Sequence, residues 1–322
     1  MNPVPVAVVG CGSFGRHHAR IYSQLPEAKL AGVYDANRAR AAAVGAEFGA
    51  PVLESLEEVS ARARAASVAV PTSAHAEVGC ALLEAGVDVL VEKPIAPSLE
   101  AADRLIAAAK KGGRILAVGH LERFNPAVQA VRPRLSQPLF FEVHRLSVFT
   151  PRSLDVDVLL DLMIHDLDLV LSFTGAAVSE LQGVGLAVLS THTDIANVRL
   201  SFANGCVANL TASRVSTERV RKLRFFQPRE YVSLDLARRD AELFRLTGEP
   251  GAGGMPALAH EHLAGDGPGG GIEPLRAELE AFLLSVVTRQ TPECDGPAAR
   301  AALEVALQAA AAIRQHRERL GR

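Results

Sequence analysis

The rhythm of apolar and polar positions changes once along the chain. Over the first 120 residues, the short runs VPVAVVG, KLAGVYD, ASVAV, VDVLVE and RILAVG alternate with Ala-rich stretches at helical spacing. Those stretches are FGRHHARIYSQL, NRARAAAVGAEFG, AHAEVGCALLEAG and SLEAADRLIAAAKKGG. Runs that are apolar at nearly every position suit strands buried on both faces, which is the condition of a parallel sheet. Regular alternation with helices predicts βαβ units and a doubly wound sheet.

After Gly119 the rhythm becomes that of alternating strands. FNPAVQAVRPRL reads as helix and PLFFEVHRLSVFT as a long strand. ELQGVGLAVLS, DIANVRLSFA, CVANLTASRVS, RKLRFFQPR, EYVSLDLA and AELFRLT then follow without helices between them. The pair Asn204-Gly205 predicts a hairpin with a type I′ turn, which needs positive φ at both central residues. This half reads as a large, mostly antiparallel open sheet with helices on one face. The Gly-rich stretch 248–271 reads as a loop, and PLRAELEAFLLSVVTRQ and AARAALEVALQAAAAIRQHRERL as closing helices. The expected organisation is a Rossmann domain over residues 1–120 and an α/β domain over 121–322.

One helix breaks the pattern. In DVDVLLDLMIHDLDLVL, residues 155–171, Asp157, Asp161, His165 and Asp168 form a single stripe on an almost wholly apolar body. Buried charges are costly unless paired or set in a wet cleft. The stripe therefore predicts a cleft or buried partners, and by itself does not choose between them.

Composition narrows the function classes. A formal net charge of −2 over 322 residues gives no global basic field for nucleic acid or anionic membrane. No apolar run reaches the length of a membrane span. The opening MNPVPVAVVG has no basic n-region or long apolar segment. Cys11, Cys80, Cys206 and Cys294 are widely spaced and form no CxxC pair. A cytoplasmic protein with reduced thiols and no metal site is expected.

The candidate chemistry begins at residues 10–15, GCGSFG, a G-x-G-x-x-G between the first strand and first helix. Gly10 permits the tight turn, Gly12 lets a pyrophosphate approach, and Gly15 allows close helix packing, with Ser13 and Phe14 lining the turn. Phosphate charge then meets a helix N-terminus. Asp35, ending the second strand, suits the ribose hydroxyls of NAD and repels the 2′-phosphate of NADP, although Arg38 nearby softens that preference. The competing reading makes Asp35 a helix cap. Pro71, Thr72 and His75 in AVPTSAHAEV, and Glu92 and Lys93 in VEKPIA, follow two further strands. In open α/β sheets, ligands bind at such carboxyl ends. Taken alone, Lys93 reads better as a loop lysine reaching for water.

GCGSFG, EKP at 92–94, GHLERFNP at 119–126 and the D-x-x-x-H of Asp161 and His165 occur in one order. Together they resemble the Gfo/Idh/MocA oxidoreductases over nearly the whole chain. The resemblance implies an N-terminal Rossmann domain holding NAD and a C-terminal domain contributing the substrate side. It also implies that the lysine of EKP meets the D-x-x-x-H pair at the nicotinamide, and that the open sheet forms a homodimer or homotetramer. Hydride would pass from a secondary carbinol to the cofactor, with Lys93, Asp161 and His165 as the catalytic set. An imidazole ordinarily titrates near neutrality, which suits a base. Phrases in the second half resemble a subgroup oxidising a nucleotide sugar, UDP-N-acetylglucosamine, at C3, ahead of amination towards 2,3-diamino sugars of lipid A. Arg123, Asn125 and Arg152 are the expected substrate contacts beside Asp161 and His165. Arg214 and Lys222 are further cations for a diphosphate. A free sugar, inositol or UDP-uronate substrate remains open, as does a non-catalytic NAD sensor.

Overall fold

A computed structural model describes residues 2–150, 156–248, 257–263 and 272–319. The chain divides into two compact units. The first comprises residues 1–121 and 273–303, the second 122–272 and 304–322.

In the first unit the elements run β1 (Val4–Val9), α1 (Ser13–Tyr22), β2 (Ala28–Tyr34), α2 (Arg38–Phe48), α3 (Leu56–Arg62) and β3 (Ala65–Val68). They continue with α4 (His75–Glu84), β4 (Asp88–Glu92), α5 (Leu99–Gly112) and β5 (Leu116–Gly119). The sheet order is β2-β1-β3-β4-β5, with every pairing parallel. Val52 adds a parallel bridge to Val33 beyond β2, the trace of a further strand. Residues of β3, β4 and β5 are buried throughout, as continuous apolar runs require. Helix α1 packs with α2 and α8 (Pro274–Thr288), and α4 packs with α3 and α5. Asn37, Ser55 and Ser98 cap the starts of α2, α3 and α5 by accepting backbone N–H bonds.

One helix is added to the sequence expectation, and two expected helices fall wholly or in part in a different unit. Helix α3 is marked by Ser55 and Glu58: the Glu58 N–H donates to the N-cap Ser55 Oγ, and Glu58 Oε2 accepts the Glu54 N–H just before the helix. Helix α8 and the start of α9 (Gly296–Arg319) belong to the first unit rather than to the half that contains them in sequence. Leu275, Leu279, Phe282 and Val286 on α8 share one apolar core with Val6, Val8 and Ile21, which explains that placement.

The second unit holds α6 (Pro126–Val131), β6 (Phe140–Val148), α7 (Ile164–Thr174) and β7 (Val178–Leu186). Strands β8 (Ile195–Phe202), β9 (Val207–Ser216), β10 (Val220–Gln227), β11 (Glu230–Asp235), β12 (Asp240–Thr247) and β13 (Ala257–His262) complete it. The sheet order is β13-β12-β11-β10-β6-β9-β8-β7, antiparallel except for β6 against β9. Along β6 burial alternates, and Phe141, Val143 and Arg145 point inward. Phe141, Phe173 and Phe225 meet at centroid distances of 5.7 to 6.3 Å and seat α7 on the sheet.

Two expectations change here. Strand β13 lies inside the Gly-rich stretch read as a loop, because Ala257–His262 completes a ladder with β12. The hairpin at Asn204-Gly205 forms, but only Gly205 has positive φ (+85°), so the turn is not type I′. Its Phe202 N–H donates to the Cys206 carbonyl instead, and Asn204 Oδ1 accepts the Cys206 N–H.

Candidate active site

In the first unit the predicted cofactor residues gather at the carboxyl ends of parallel strands. Gly10 has φ +95°, and a Cβ there would lie 2.6 Å from the Ala69 carbonyl. A Cβ on Gly15 would strike the Gly10 oxygen at 1.7 Å, whereas one on Gly12 would meet nothing within 4 Å. The turn thus tolerates only glycine at its two packed positions and leaves open space at the middle one. Helix α1 starts at Ser13 with no side-chain cap, so its first N–H groups are available to an anion. Phe14 is 56% exposed at the tip of the turn.

Asp35 is tied to this turn. Its Oδ2 accepts the Cys11 N–H at 2.7 Å and its Oδ1 the Asn37 N–H at 2.7 Å. Asp35 therefore does not cap α2; Asn37 does. Exposed Arg38 forms an ion pair with Glu54. Burial, with Asp35 adding to it, pushes the Cys11 thiol up to about 12, so this residue contributes no thiolate beside the cofactor turn.

Pro71 and Thr72 form a turn after β3, and His75 opens α4. The His75 ring is buried, with Nδ1 2.9 Å from the Pro94 carbonyl and Nε2 3.0 Å from that of Val70. It holds the β3 turn against the EKP turn, and burial keeps its pKa below the usual histidine value. Glu92 turns inward to His18 Nε2 at 2.9 Å. Burial opposes its charge, but the bond and charge of His18, with Lys93 and His75, hold its carboxyl below the usual range. Lys93, the next residue, is half-buried.

In the second unit, the helix carrying the stripe is not uniform. Leu159–Met163 form a π-helical turn that contains Asp161, and α7 begins at Ile164 with His165 in its first turn. Single π turns recur at functional sites. Asp161 and His165 are half-buried, while Met163, Ile164 and Leu167 around them are fully buried. The remaining stripe members have other tasks. Asp157 accepts the Thr193 N–H at 2.7 Å, and Asp168, 1% exposed, receives a two-pronged bond from Arg123 at 2.7 Å each. The stripe thus meets buried partners at Asp157 and Asp168.

Arg123 therefore stands in a buried ion pair. Asn125 caps α6 and donates to Glu122 and the Leu236 carbonyl. Arg214 pairs with Asp194 at 2.9 Å and donates to the Val156 and Thr193 carbonyls. Burial opposes the charge of Asp194, but Ser190 and three backbone N–H groups hold it well below the usual carboxylate range. Lys222 is exposed on β10, and Arg152 lies outside the described residues. Arg145 and Asp166 belong to no motif of the sequence. The visible signal is an arginine at an inward position of β6, where the alternation demands an apolar side chain.

A glycine turn opening an uncapped helix, with a carboxylate at the end of the neighbouring strand, is the geometry of a dinucleotide-binding domain. Residues 4–120 match the family described as oxidoreductase family, NAD-binding Rossmann fold, and residues 127–228 match the GFO/IDH/MocA C-terminal domain. The chain is 39% identical to UDP-N-acetylglucosamine 3-dehydrogenase of Acidithiobacillus ferrooxidans over 95% of its length and 96% of that protein's. A solved structure of that enzyme superposes with TM-score 0.90 at 38% identity, covering 97% of this chain and 98% of the other. Scyllo-inositol 2-dehydrogenase (NAD(+)) of Bacillus subtilis is 28% identical over 67% of this chain and 68% of its own. The chain belongs to the Gfo/Idh/MocA family of oxidoreductases.

Proposed function

We propose that this enzyme oxidises the 3-hydroxyl of UDP-N-acetylglucosamine with NAD as hydride acceptor. The similarity to a UDP-N-acetylglucosamine 3-dehydrogenase along almost the entire chain carries this reading. Among the described residues, no helix is long and apolar enough to cross a membrane. A cytoplasmic location fits the nucleotide cofactor and the free thiols of Cys11, Cys80 and Cys206.

When bound, the nicotinamide supplies the hydride acceptor. The backbone of Gly12 and the start of α1 receive the pyrophosphate, and Asp35 accepts bonds from the ribose hydroxyls. Arg38 is paired with Glu54, which favours NAD over NADP. Pro71, Thr72 and Lys93 line the same strand ends, while His75 and Glu92 brace the EKP turn from within. As hydride leaves the carbinol its proton must leave as well, and His165 or Lys93 takes it, with Asp161 orienting the imidazole. Arg152 supplies a cation for the substrate. Arg123 and Asn125, through Asp168 and the Leu236 carbonyl, hold the substrate side in shape.

The test is NADH formation with UDP-N-acetylglucosamine, its uronate, glucose and inositol, the ketone being trapped by a carbonyl reagent. Turnover is expected with UDP-N-acetylglucosamine alone. NADP is expected to fall on the order of 100-fold in kcat/KM, about 2.7 kcal/mol, because its phosphate meets Asp35. Turnover with inositol or glucose would reject this substrate.

The enzyme assembles as a homodimer or homotetramer through the outer face of its eight-stranded sheet. Phe140, Phe226, Tyr231, Phe244 and His260 stack across five strands of that face at centroid distances of 5.8, 4.9, 5.6 and 4.4 Å. Leu246 and Leu258 beside them are 37% and 60% exposed. Exposed apolar surface of this kind favours association with a second copy. Light scattering at micromolar concentration is expected to give a multiple of the 34.1 kDa chain mass; a monomer would refute the assembly.

A further inference from the structure

Helix α7 is held by two buried arginine forks that the proton-transfer chemistry does not use. Arg123 donates from Nε and Nη2 to the two oxygens of Asp168, both at 2.7 Å. Arg145 donates from Nε and Nη2 to Asp166, both at 2.8 Å, and from Nη1 to Glu122 at 3.0 Å. The arginine side chains are 8% and 4% exposed, and the aspartates 1% and 2%.

Pairs this deeply buried are poor sources of stability. Desolvation offsets most of their attraction, and well-packed apolar residues often replace them without loss. Apolar packing is available here, since Leu167, Leu169, Val170 and Met163 are already buried on the same helix. The hydrophobic gain from such packing has no direction of its own. A two-pronged arginine–carboxylate bond is directional.

The positions of the two aspartates give that direction a purpose. At about 100° per residue, Asp166 lies about 100° to one side of His165 and Asp168 about 60° to the other. His165 thus stands inside an arc bounded by two directional bonds. One bond runs to β6, the other to the 3-10 turn Leu121–Phe124. The π turn Leu159–Met163 lies immediately before α7, so any roll of α7 also changes how Asp161 and His165 are aligned.

We propose that Arg123 and Arg145, through Asp168 and Asp166, are positioning residues that fix the roll of α7 and thereby aim the His165 imidazole at the reacting hydroxyl. This rests on the role of His165 given above. The decisive variant replaces a whole pair by apolar residues, Arg123→Met with Asp168→Leu, and is compared with Arg123→Lys and His165→Ala. The double variant is expected to unfold within a few degrees of wild type and to bind NADH with unchanged Kd. Its KM for the sugar nucleotide should stay within about threefold, while kcat falls at least tenfold. Arg123→Lys keeps the charge but loses the fork, so its kcat is expected to fall nearly as far. Wild-type kcat in the double variant would overturn the proposal, as would full rescue by lysine. Should the double variant not fold, Arg123→Lys decides alone. Substantial turnover by His165→Ala would instead refute the role of His165 and this inference with it. Inactivity of His165→Ala beside a fully active double variant would refute only the positioning role.

Discussion

Replacing His165 by alanine is expected to lower kcat about 10³-fold, within the range that a positioned acid or base contributes, while NADH binding is retained. The argument is one of charge. A carbinol that loses hydride without losing its proton becomes a protonated ketone, so a base must act in the same transition state. Lys93 and His165 are both half-buried, and Asp161 lies one turn before the imidazole. Lys93→Ala is expected to cost a similar factor. If both groups handle one proton, the double variant should be little worse than either single one, because residues acting as a unit are not additive. Stopped assays with trapped ketone, alongside NADH fluorescence titration, measure both quantities. Near wild-type turnover in both single variants, with intact NADH binding, would remove these residues from the mechanism.

Legibility followed the physics of each region. The five parallel strands were readable because burial on both faces leaves a continuous apolar run, and Gly10, Gly12 and Gly15 because steric demand leaves a glycine signature. The short α3 was marked by Ser55 and Glu58, a signal that the stronger neighbouring patterns obscured. Strand β13 is hidden because Leu258 is the only large apolar side chain in Ala257–His262, which is specified by pairing with β12. The stripe over residues 157–168 is visible in the sequence, but its members have different partners. Its spacing is compatible with a plain α-helix, so nothing local announces the π turn at Leu159–Met163. Arg123 and Arg214 looked like cations awaiting a diphosphate because their partners, Asp168 and Asp194, lie 45 and 20 residues away. Charges at apolar phases are the general signal: Arg145 on an inward position of β6, Asp166 on a buried helix face, and Glu278 on the apolar stripe of α8. Each stands where periodicity asks for a hydrocarbon.

Glu278 gives the second large expected effect, on stability rather than turnover. It is 2% exposed, and among the described residues neither carboxylate oxygen has a hydrogen-bond partner. Burial first, and then the Glu92 carboxylate, raise its pKa well above the usual glutamate range. The two carboxyls of this core are thus driven apart, Glu92 ionised against His18 and Glu278 protonated. Below about pH 4 both the folded and the unfolded chain keep the Glu278 proton, and it adds no pH dependence. Above that, the unfolded chain releases the proton while the folded chain retains it. Stability then declines by up to about 1.4 kcal/mol per pH unit until the folded pKa is reached. Glu278→Gln keeps the shape and a neutral polar end but has no proton to lose. The variant is expected to match wild type in urea unfolding near pH 4.5 and to become progressively more stable than it towards pH 8. Glu278→Leu should add a pH-independent gain, since it also removes an unsatisfied buried polar group. Parallel unfolding midpoints for wild type and Glu278→Gln from pH 4.5 to 8 would mean that Glu278 is ionised in the folded protein. That carboxylate would then need a partner inside the first unit, and the ionisation of Glu92 beside Lys93 would have to be reassigned with it.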